Sequence, residues 1–262
     1  MKPLGESSPF AGTARYYDPF RAPYAPAALD YLVRTCGLGE RSRVLDLGCG
    51  PGTIAIPLSE VVSEVVAVDP DPEMIAEGQR LAAAKGRRNI VWRQERAEDL
   101  SLGLGPFHLA TLGQSFHWMD RDAVLRKLSV LLTDDGALAL LNPGKRRPQE
   151  SWEPIAAEVV TRFLGRRPRH SKANPQEPAH EPALRRSEHF SAFTAEEFAS
   201  TITRDVPSII GCLYSSTGAA RHLFGRRAGA FERELSAAIL SAQPDGVFNE
   251  QVETEVLIAR RR

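Results

Sequence analysis

The pattern of apolar and polar positions switches regularly between two periods over residues 40–142. Short, nearly continuous apolar runs predict buried strands, and the segments between them carry apolar residues at helical spacing. The predicted strands are 43–48, 64–69, 90–93, 107–112 and 136–142, and the predicted helices are 53–60, 73–85 and 120–132. Repeated strand–helix units of this length predict a doubly wound parallel sheet that is covered on both faces.

Periodic segments also flank this region on both sides. A helix is predicted over 26–36, with Gly37 as its stop. On the far side the pattern predicts a strand over 198–204, helices over 206–214 and 219–241, and a strand over 254–261. Pairing the last strand antiparallel at the sheet edge would complete a seven-stranded, Rossmann-like α/β sheet.

Residues 143–189 differ in composition from the segments on either side. They contain many prolines and basic clusters such as 145–147 and 166–169. A helix is predicted over 150–163 and a loop over 168–182. Segments this long inside a compact domain are usually functional or mobile, so a lid over a ligand and a solvated insertion are both open. The predicted organisation is an N-terminal arm and helix (1–36), a core (37–142), a lid (143–197) and the rest of the sheet (198–262).

The charge balance narrows the kinds of partner. The 262 residues include 33 basic and 33 acidic side chains, so no bulk field favours nucleic acid or an anionic membrane. Three widely spaced cysteines argue against a disulfide framework and against a zinc site. Without a secretory signal or an apolar run of about 18 residues, a cytoplasmic monomer or homodimer without a metal is expected.

The richest chemical signal is the run VLDLGCGPGT over residues 44–53. Glycines at 48, 50 and 52 allow a sharp turn and close approach of the backbone to a ligand. Asp46 stands directly before them, where it would repel a dinucleotide pyrophosphate and attract an ammonium group. Asp69 ends the next strand, and an acid there can accept the hydroxyls of a ribose. The pattern therefore favours a cationic nucleoside that carries no phosphate, and it disfavours an NAD oxidoreductase.

Four ordered motifs carry a family resemblance over about a hundred residues. VLDLGCGPGT and VVAVDPDPEMI, followed by QERAEDL and ATLGQSFHW, resemble the motifs of class I S-adenosylmethionine-dependent methyltransferases. The resemblance implies S-adenosylmethionine as the cofactor and S-adenosylhomocysteine as the product. By position it implies that the cofactor contacts Asp46, Gly48, Cys49, Gly50, Asp69, Pro70, Met74, Ala97, Glu98 and Gln114. Cys49 is interpreted as a small loop filler rather than a nucleophile.

The N-terminal segment YYDPFRAPY, residues 16–24, resembles the arm that covers the cofactor in one branch of this family. The resemblance implies that Arg21 pairs with the cofactor carboxylate and that Tyr17 and Tyr24 close the pocket. The alternative is that the aromatic residues only anchor the arm. The usual adjacency of arginine and proline is broken here by Ala22.

His117 is the candidate for acid–base catalysis. It follows the fourth strand, and an ordinary imidazole pKa lets it accept a proton near neutral pH. A role in shaping the pocket remains open, because the branch uses the Phe-His-Trp string with varied substrates. The candidate substrate-binding residues are His117, Trp118, Tyr214 and Ser215.

The leading hypothesis is transfer of a methyl group to oxygen or nitrogen of a small molecule, in natural-product biosynthesis. An RNA or protein methyltransferase is a second possibility, in which the basic clusters would form the surface that binds the macromolecule. A non-catalytic module that binds S-adenosylmethionine is a third.

Overall fold

A computed structural model describes residues 10–143, 152–165, 180–191 and 193–262. The described strands are β1 (Arg43–Leu47), β2 (Glu64–Asp69), β3 (Ile90–Gln94), β4 (Phe107–Gly113), β5 (Leu132–Pro143), β6 (Thr194–Arg204) and β7 (Phe248–Arg260). The described α-helices are α1 (Tyr17–Phe20), α2 (Pro26–Thr35), α3 (Ala55–Leu58), α4 (Pro72–Ala84), α5 (Arg121–Leu131), α6 (Glu153–Leu164), α7 (His180–Arg186), α8 (Val206–Tyr214), α9 (Arg221–Phe224) and α10 (Ala228–Ala242). Two features of the sequence analysis lie outside the described residues. They are the basic clusters at 145–147 and 166–169, and most of the predicted loop 168–182.

The strands form one sheet in the order β3-β2-β1-β4-β5-β7-β6. The pairs among β1 to β5 are parallel, whereas β7 pairs antiparallel with β5. The predicted class, a seven-stranded doubly wound α/β sheet with its last strand antiparallel, is confirmed.

The predicted place of the last strand at the sheet edge is wrong. β7 lies between β5 and β6, and β6 forms the edge. The burial patterns give the physical reason: residues 256–259 of β7 are all buried, whereas β6 is exposed or half-buried at every position before Arg204. A strand buried on both faces belongs inside a sheet, and a polar strand suits its edge.

Two predicted helices differ from the observed ones. The helix predicted over 53–60 is reduced to α3, because Gly52, with a φ of +87°, ends a tight turn and Pro57 has no N–H to donate. The helix predicted over 219–241 is broken into α9 and α10. Gly225 adopts a φ of +52° there, which a continuous helix cannot contain.

The described residues cluster into two compact units. The sheet unit comprises described residues within 23–145, 175–200 and 253–262, and the helical unit comprises those within 1–22, 146–174 and 201–252. α6 belongs to the helical unit and α7 to the sheet unit, so the predicted lid segment contributes to both. Its role as a lid stays a prediction.

The sheet unit buries apolar side chains on both faces. Val44 and Val65 point into a cluster with α2 and α3, whereas Leu45 and Val66 point into a second cluster with α5. This alternation follows from the period of two along a strand. Both faces being covered explains why the strand sequences are nearly continuous apolar runs.

The helical unit has its own core, and its described residues include a buried ion pair. Arg204, at the end of β6, contacts the Glu250 carboxylate at 3.3 Å and donates to the Phe20 carbonyl at 2.8 Å. The indole N–H of Trp152 donates to the same carboxylate. The pair is thus embedded in further hydrogen bonds, which a buried charge pair requires.

Candidate functional site

The sheet order reverses at β1, whose neighbours are β2 and β4. Loops that leave the carboxyl ends of β1 and β4 diverge at such a point and open a crevice, where open α/β sheets bind ligands. The predicted glycine loop begins at this end of β1.

The glycine loop is tied to the end of β2 by three backbone donors. The N–H groups of Gly48 and Cys49 donate to the Val68 carbonyl at 2.8 and 3.0 Å. The N–H of Gly50 donates to the Asp69 carboxylate at 2.9 Å. The loop is therefore a fixed cradle rather than a loose turn.

The three loop glycines face different surroundings, although each has a positive φ, of +64°, +53° and +87° in chain order. A Cβ on Gly48 would lie 2.3 Å from the Cβ of Ser115, and one on Gly52 would lie 2.7 Å from the Trp92 ring. A Cβ on Gly50 would meet no described atom within 4 Å. Gly48 and Gly52 thus pack the loop tightly, and Gly50 borders open space that a ligand can fill.

Asp46, near the end of β1, is only 1% exposed. Its Oδ1 accepts a hydrogen bond from the Thr111 hydroxyl at 2.8 Å, and its buried Oδ2 has no hydrogen-bond partner among the described residues. Burial raises the pKa of Asp46 to about 7, with the Thr111 hydroxyl and the backbone N–H of Ala55 acting in the opposite direction. A cationic donor would supply the missing partner and favour the ionised carboxylate.

Asp69, at the end of β2, is held by the loops around it. Its Oδ2 accepts from the N–H of Gly50 and its Oδ1 from the N–H of Asp71, each at 2.9 Å. Burial raises the pKa of Asp69 to about 6 against the effect of these two bonds. A carboxylate has about four acceptor positions, so Asp69 can bind ligand hydroxyls while it holds the loop.

The end of β4 brings further predicted residues to the crevice. Gln114 has a φ of +52°, the only positive value among the described residues other than glycine, and such strain is typical of functional sites. A Cβ on Gly113 would lie 2.4 Å from the Tyr24 hydroxyl, so Tyr24 packs directly against this strand end. Gln114 and Tyr24 thus lie where the sequence predicts a ligand.

The predicted adenine contacts occupy the neighbouring segments of the sheet unit. Pro70 is exposed directly after β2, whereas Met74 on α4 is 3% exposed. Ala97 is buried, and the Glu98 carboxylate accepts from the N–H of Asp120 at 3.0 Å. Glu98 therefore also fixes the start of α5.

His117 and Trp118 lie on a single 3-10 turn after β4, with ring centroids 5.2 Å apart. Trp118 is 59% exposed. His117 borders a surface depression of about 350 Å³, whose other lining residues are Met119, Asp120, Arg121, Asp122, Ala183 and Arg186. His117 is therefore placed where it can meet a small molecule.

The remaining predicted residues belong to the helical unit. Arg21 donates to the Ser215 hydroxyl and carbonyl, each at 3.1 Å, and its guanidinium lies over the Tyr17 ring at 4.7 Å. The Tyr214 hydroxyl donates to the Glu232 carboxylate at 2.8 Å. These bonds show the arm anchored within its own unit, and its cofactor contacts stay a prediction.

Sequence reasoning missed three side chains that build the crevice. Thr111 binds Asp46, and Ser115 donates to the Leu47 carbonyl at 2.6 Å. Met119 approaches the glycine loop, since a Cβ on Gly48 would lie 3.3 Å from its terminal methyl. The polar residue inside the apolar stretch 109–112 of β4 was the available signal for Thr111.

No group of three or more histidine, cysteine or carboxylate side chains is placed to hold a metal within the part of the chain that the structure describes. None of the described helices is both long and apolar enough to cross a membrane.

The reversed seventh strand, the sheet order and the glycine cradle at β1 together define a Rossmann-like α/β fold. Residues 44–136 match the family model described as a methyltransferase domain. A solved structure of a candidate type II methyltransferase from Anaeromyxobacter dehalogenans has the same fold. Its TM-score is 0.62 at 22% identity, with 93% of this chain and 98% of that chain covered.

Curated relatives match a shorter region. An uncharacterized methyltransferase of Mycobacterium bovis is 32% identical over 153 residues, which is 58% of this chain and 59% of the relative. A ubiquinone biosynthesis O-methyltransferase of Xanthomonas oryzae is 29% identical over 149 residues, or 56% and 62% of the two chains. The chain thus matches little more than half the length of these relatives.

Proposed function

We propose that the chain transfers a methyl group from S-adenosylmethionine to oxygen or nitrogen of a small molecule. The observation that carries the proposal is the buried Asp46 oxygen without a described partner, beside a glycine loop that opens at Gly50. A cationic amino-acid group fits the first feature, and a nucleoside fits the second. When bound, S-adenosylmethionine supplies an electrophilic methyl carbon on a sulfonium.

The residues of the sheet unit would divide the binding work. Asp46 would hold the ammonium group, and Asp69 would accept the ribose hydroxyls while it keeps Gly50 in place. Ala97 and Glu98 would border the adenine. Backbone N–H groups hold Asp69 and Glu98, and the Thr111 hydroxyl holds Asp46, so little ordering of these side chains would be needed on binding.

The acceptor side of the proposal rests on charge and on one relative. The chain has no net charge, which favours recognition of a small molecule by pocket shape over attraction of a polyanion. The relative from Xanthomonas is an O-methyltransferase by name, which supports oxygen as the receiving atom. Natural-product biosynthesis, a cytoplasmic location and a monomeric or dimeric state belong to the same proposal.

Calorimetric titration tests the cofactor. The wild-type chain is expected to bind S-adenosylmethionine and to show no heat with NADH. Asp69→Ala is expected to weaken binding at least about 30-fold, because two hydrogen bonds to a charged acceptor are lost. Glu60→Ala, which removes an exposed partner of Arg87, is the matched control and should bind like wild type. Tight NADH binding without a response to S-adenosylmethionine would overturn the proposal.

His117→Gln tests the proposed general base. We expect kcat to fall by about 100-fold or more with the acceptor that a substrate screen yields, because proton removal in the transition state is lost. The acid limb of the pH–rate profile should disappear with it. His222→Gln, at an exposed histidine of the helical unit, is the control. Turnover of His117→Gln within a few-fold of wild type would leave His117 as a wall of the pocket.

A further inference from the structure

The depression beside His117 contains two arginines that the fold itself does not explain. Arg121 begins α5 and Arg186 ends α7. Among the described side chains, neither guanidinium has a carboxylate within 4.0 Å. The Nε of Arg121 is buried and has no hydrogen-bond partner among the described residues, which is costly for a charged group.

The two aspartates of the same depression have a structural role. Asp120 caps α5 by accepting from the N–H of Ala123 at 3.0 Å. Asp122 lies in the first turn of the same helix, where the helix dipole favours a negative side chain. The helix thus accounts for both acids, whereas neither arginine has a carboxylate partner among the described residues.

Arg121 is also held in place by its neighbour. Its guanidinium lies over the ring of Phe116 at 5.7 Å from the centroid, and Phe116 is 1% exposed. A guanidinium fixed on a buried ring loses less rotamer freedom when it binds a ligand. Such a planar fork suits a carboxylate, which it can bind through two parallel hydrogen bonds.

Met119 connects this depression to the proposed cofactor loop. It lines the depression, and its terminal methyl would lie 3.3 Å from a Cβ on Gly48. A ligand in the depression would therefore be separated from the glycine loop by one side chain. The depression therefore adjoins the proposed cofactor loop on the side of Met119.

We propose that Arg121 and Arg186 bind a carboxylate group of the methyl acceptor, so that the substrate class is small organic acids. This inference rests on the proposed function, because only a methyltransferase has a methyl acceptor. The carboxylate is inferred from the two arginines of the depression. Asp120 and Asp122 in the same wall disfavour a polyanion such as RNA, because like charges would approach each other. A single carboxylate can engage the arginines and stay clear of both acids.

Benzoate and its neutral counterpart benzamide test the proposal. Nuclear magnetic resonance titration of the full chain, saturated with S-adenosylhomocysteine, is expected to show benzoate binding in the millimolar range and benzamide binding at least about 10-fold more weakly. Arg121→Gln and Arg186→Gln should each weaken benzoate binding about 10-fold. The control is Arg126→Gln, an exposed arginine of α5 outside the depression, which should leave benzoate binding unchanged.

The outcomes separate this proposal from the cofactor proposal. Equal binding of benzoate and benzamide, tighter binding of inorganic phosphate, or an equal loss in Arg126→Gln would overturn the carboxylate site. Titration of the same variants with S-adenosylmethionine should match wild type, which shows that they are folded. Absence of S-adenosylmethionine binding in the wild type would refute the proposed function instead, whatever benzoate does.

Discussion

Asp46→Asn is expected to weaken S-adenosylmethionine binding by about 100-fold and to stabilise the empty protein above pH 7. The affinity falls because a buried charge pair with the ammonium group is lost, which typically costs about 2–5 kcal/mol. The stability rises because the buried carboxylate, raised from an ordinary pKa of 3.8 to about 7, is forced to ionise in the wild type. Removing that charge should contribute about 1 kcal/mol or more.

The pH dependence gives the sign of the effect. Between pH 3.8 and about 7 the folded wild type holds more protons at Asp46 than the unfolded chain, so its free energy of unfolding falls as the pH rises. Asp46→Asn should remove this slope between about pH 6 and 7. A slope at lower pH should remain, because the pKa of Asp69 is also raised, to about 6. Urea unfolding of both proteins across pH 4 to 8 measures it.

Two results would contradict this account of Asp46. Unchanged affinity for S-adenosylmethionine would show that the carboxylate does not hold the ammonium group. Lower stability of Asp46→Asn at pH 8 would show that the Thr111 hydrogen bond outweighs the cost of the buried charge. Asp245→Asn, at an exposed position before Gly246, is the control for the change from acid to amide.

Gly37, Gly48 and Gly50 each have a positive φ, and replacing each of them by alanine is expected to affect stability and affinity for S-adenosylmethionine in a different way. Gly37→Ala, at a φ of +59° with no described atom within 4 Å of the new Cβ, should cost only backbone strain of about 1 kcal/mol. Gly48→Ala adds a clash with Ser115 at 2.3 Å and should cost about 3 kcal/mol or more. Gly50→Ala should resemble Gly37→Ala in stability, yet lose most of its affinity for S-adenosylmethionine, because the new methyl fills the cradle.

Thermal unfolding and calorimetric titration of the three variants measure these effects. Gly37→Ala lies outside the loop and is the matched control for strain, with wild-type affinity expected. If Gly50→Ala binds S-adenosylmethionine like wild type, the open space beside Gly50 is not the ligand site. If Gly48→Ala is as stable as Gly37→Ala, Ser115 moves without cost and the loop is less tightly packed than the distances indicate.

The strand and helix periods were sufficient to predict the sheet, because buried parallel strands and covering helices leave strong local patterns. The interior position of β7 was missed although its continuous apolar run at 256–259 is typical of a strand buried on both faces. The strand that covers its free side, β6, comes from a distant part of the chain. The break at Gly225 was missed because a single glycine inside a helical pattern is often tolerated. Helix propensity does not show whether the folded chain adopts a positive φ at Gly225.

The part of the candidate site that lies in the ordered sequence motifs could be predicted. Asp46, Asp69 and the loop glycines were found because a strand, a turn and a helix place them together in sequence. Thr111 and Met119 were not found, since their roles depend on side-chain packing between separate loops. Arg121 and Arg186 are 65 positions apart, and only the folded chain brings them to one depression.

Met119 would couple the binding of the two proposed ligands, because it borders both the glycine loop and the depression. Its unbranched side chain has three rotatable bonds and adapts readily to its surroundings. A nucleoside beside Gly48 would restrict its rotamers, and the floor of the depression beside His117 would change with them. Donor and acceptor would then bind cooperatively through one thioether, and thermodynamic linkage makes that coupling equal in both directions.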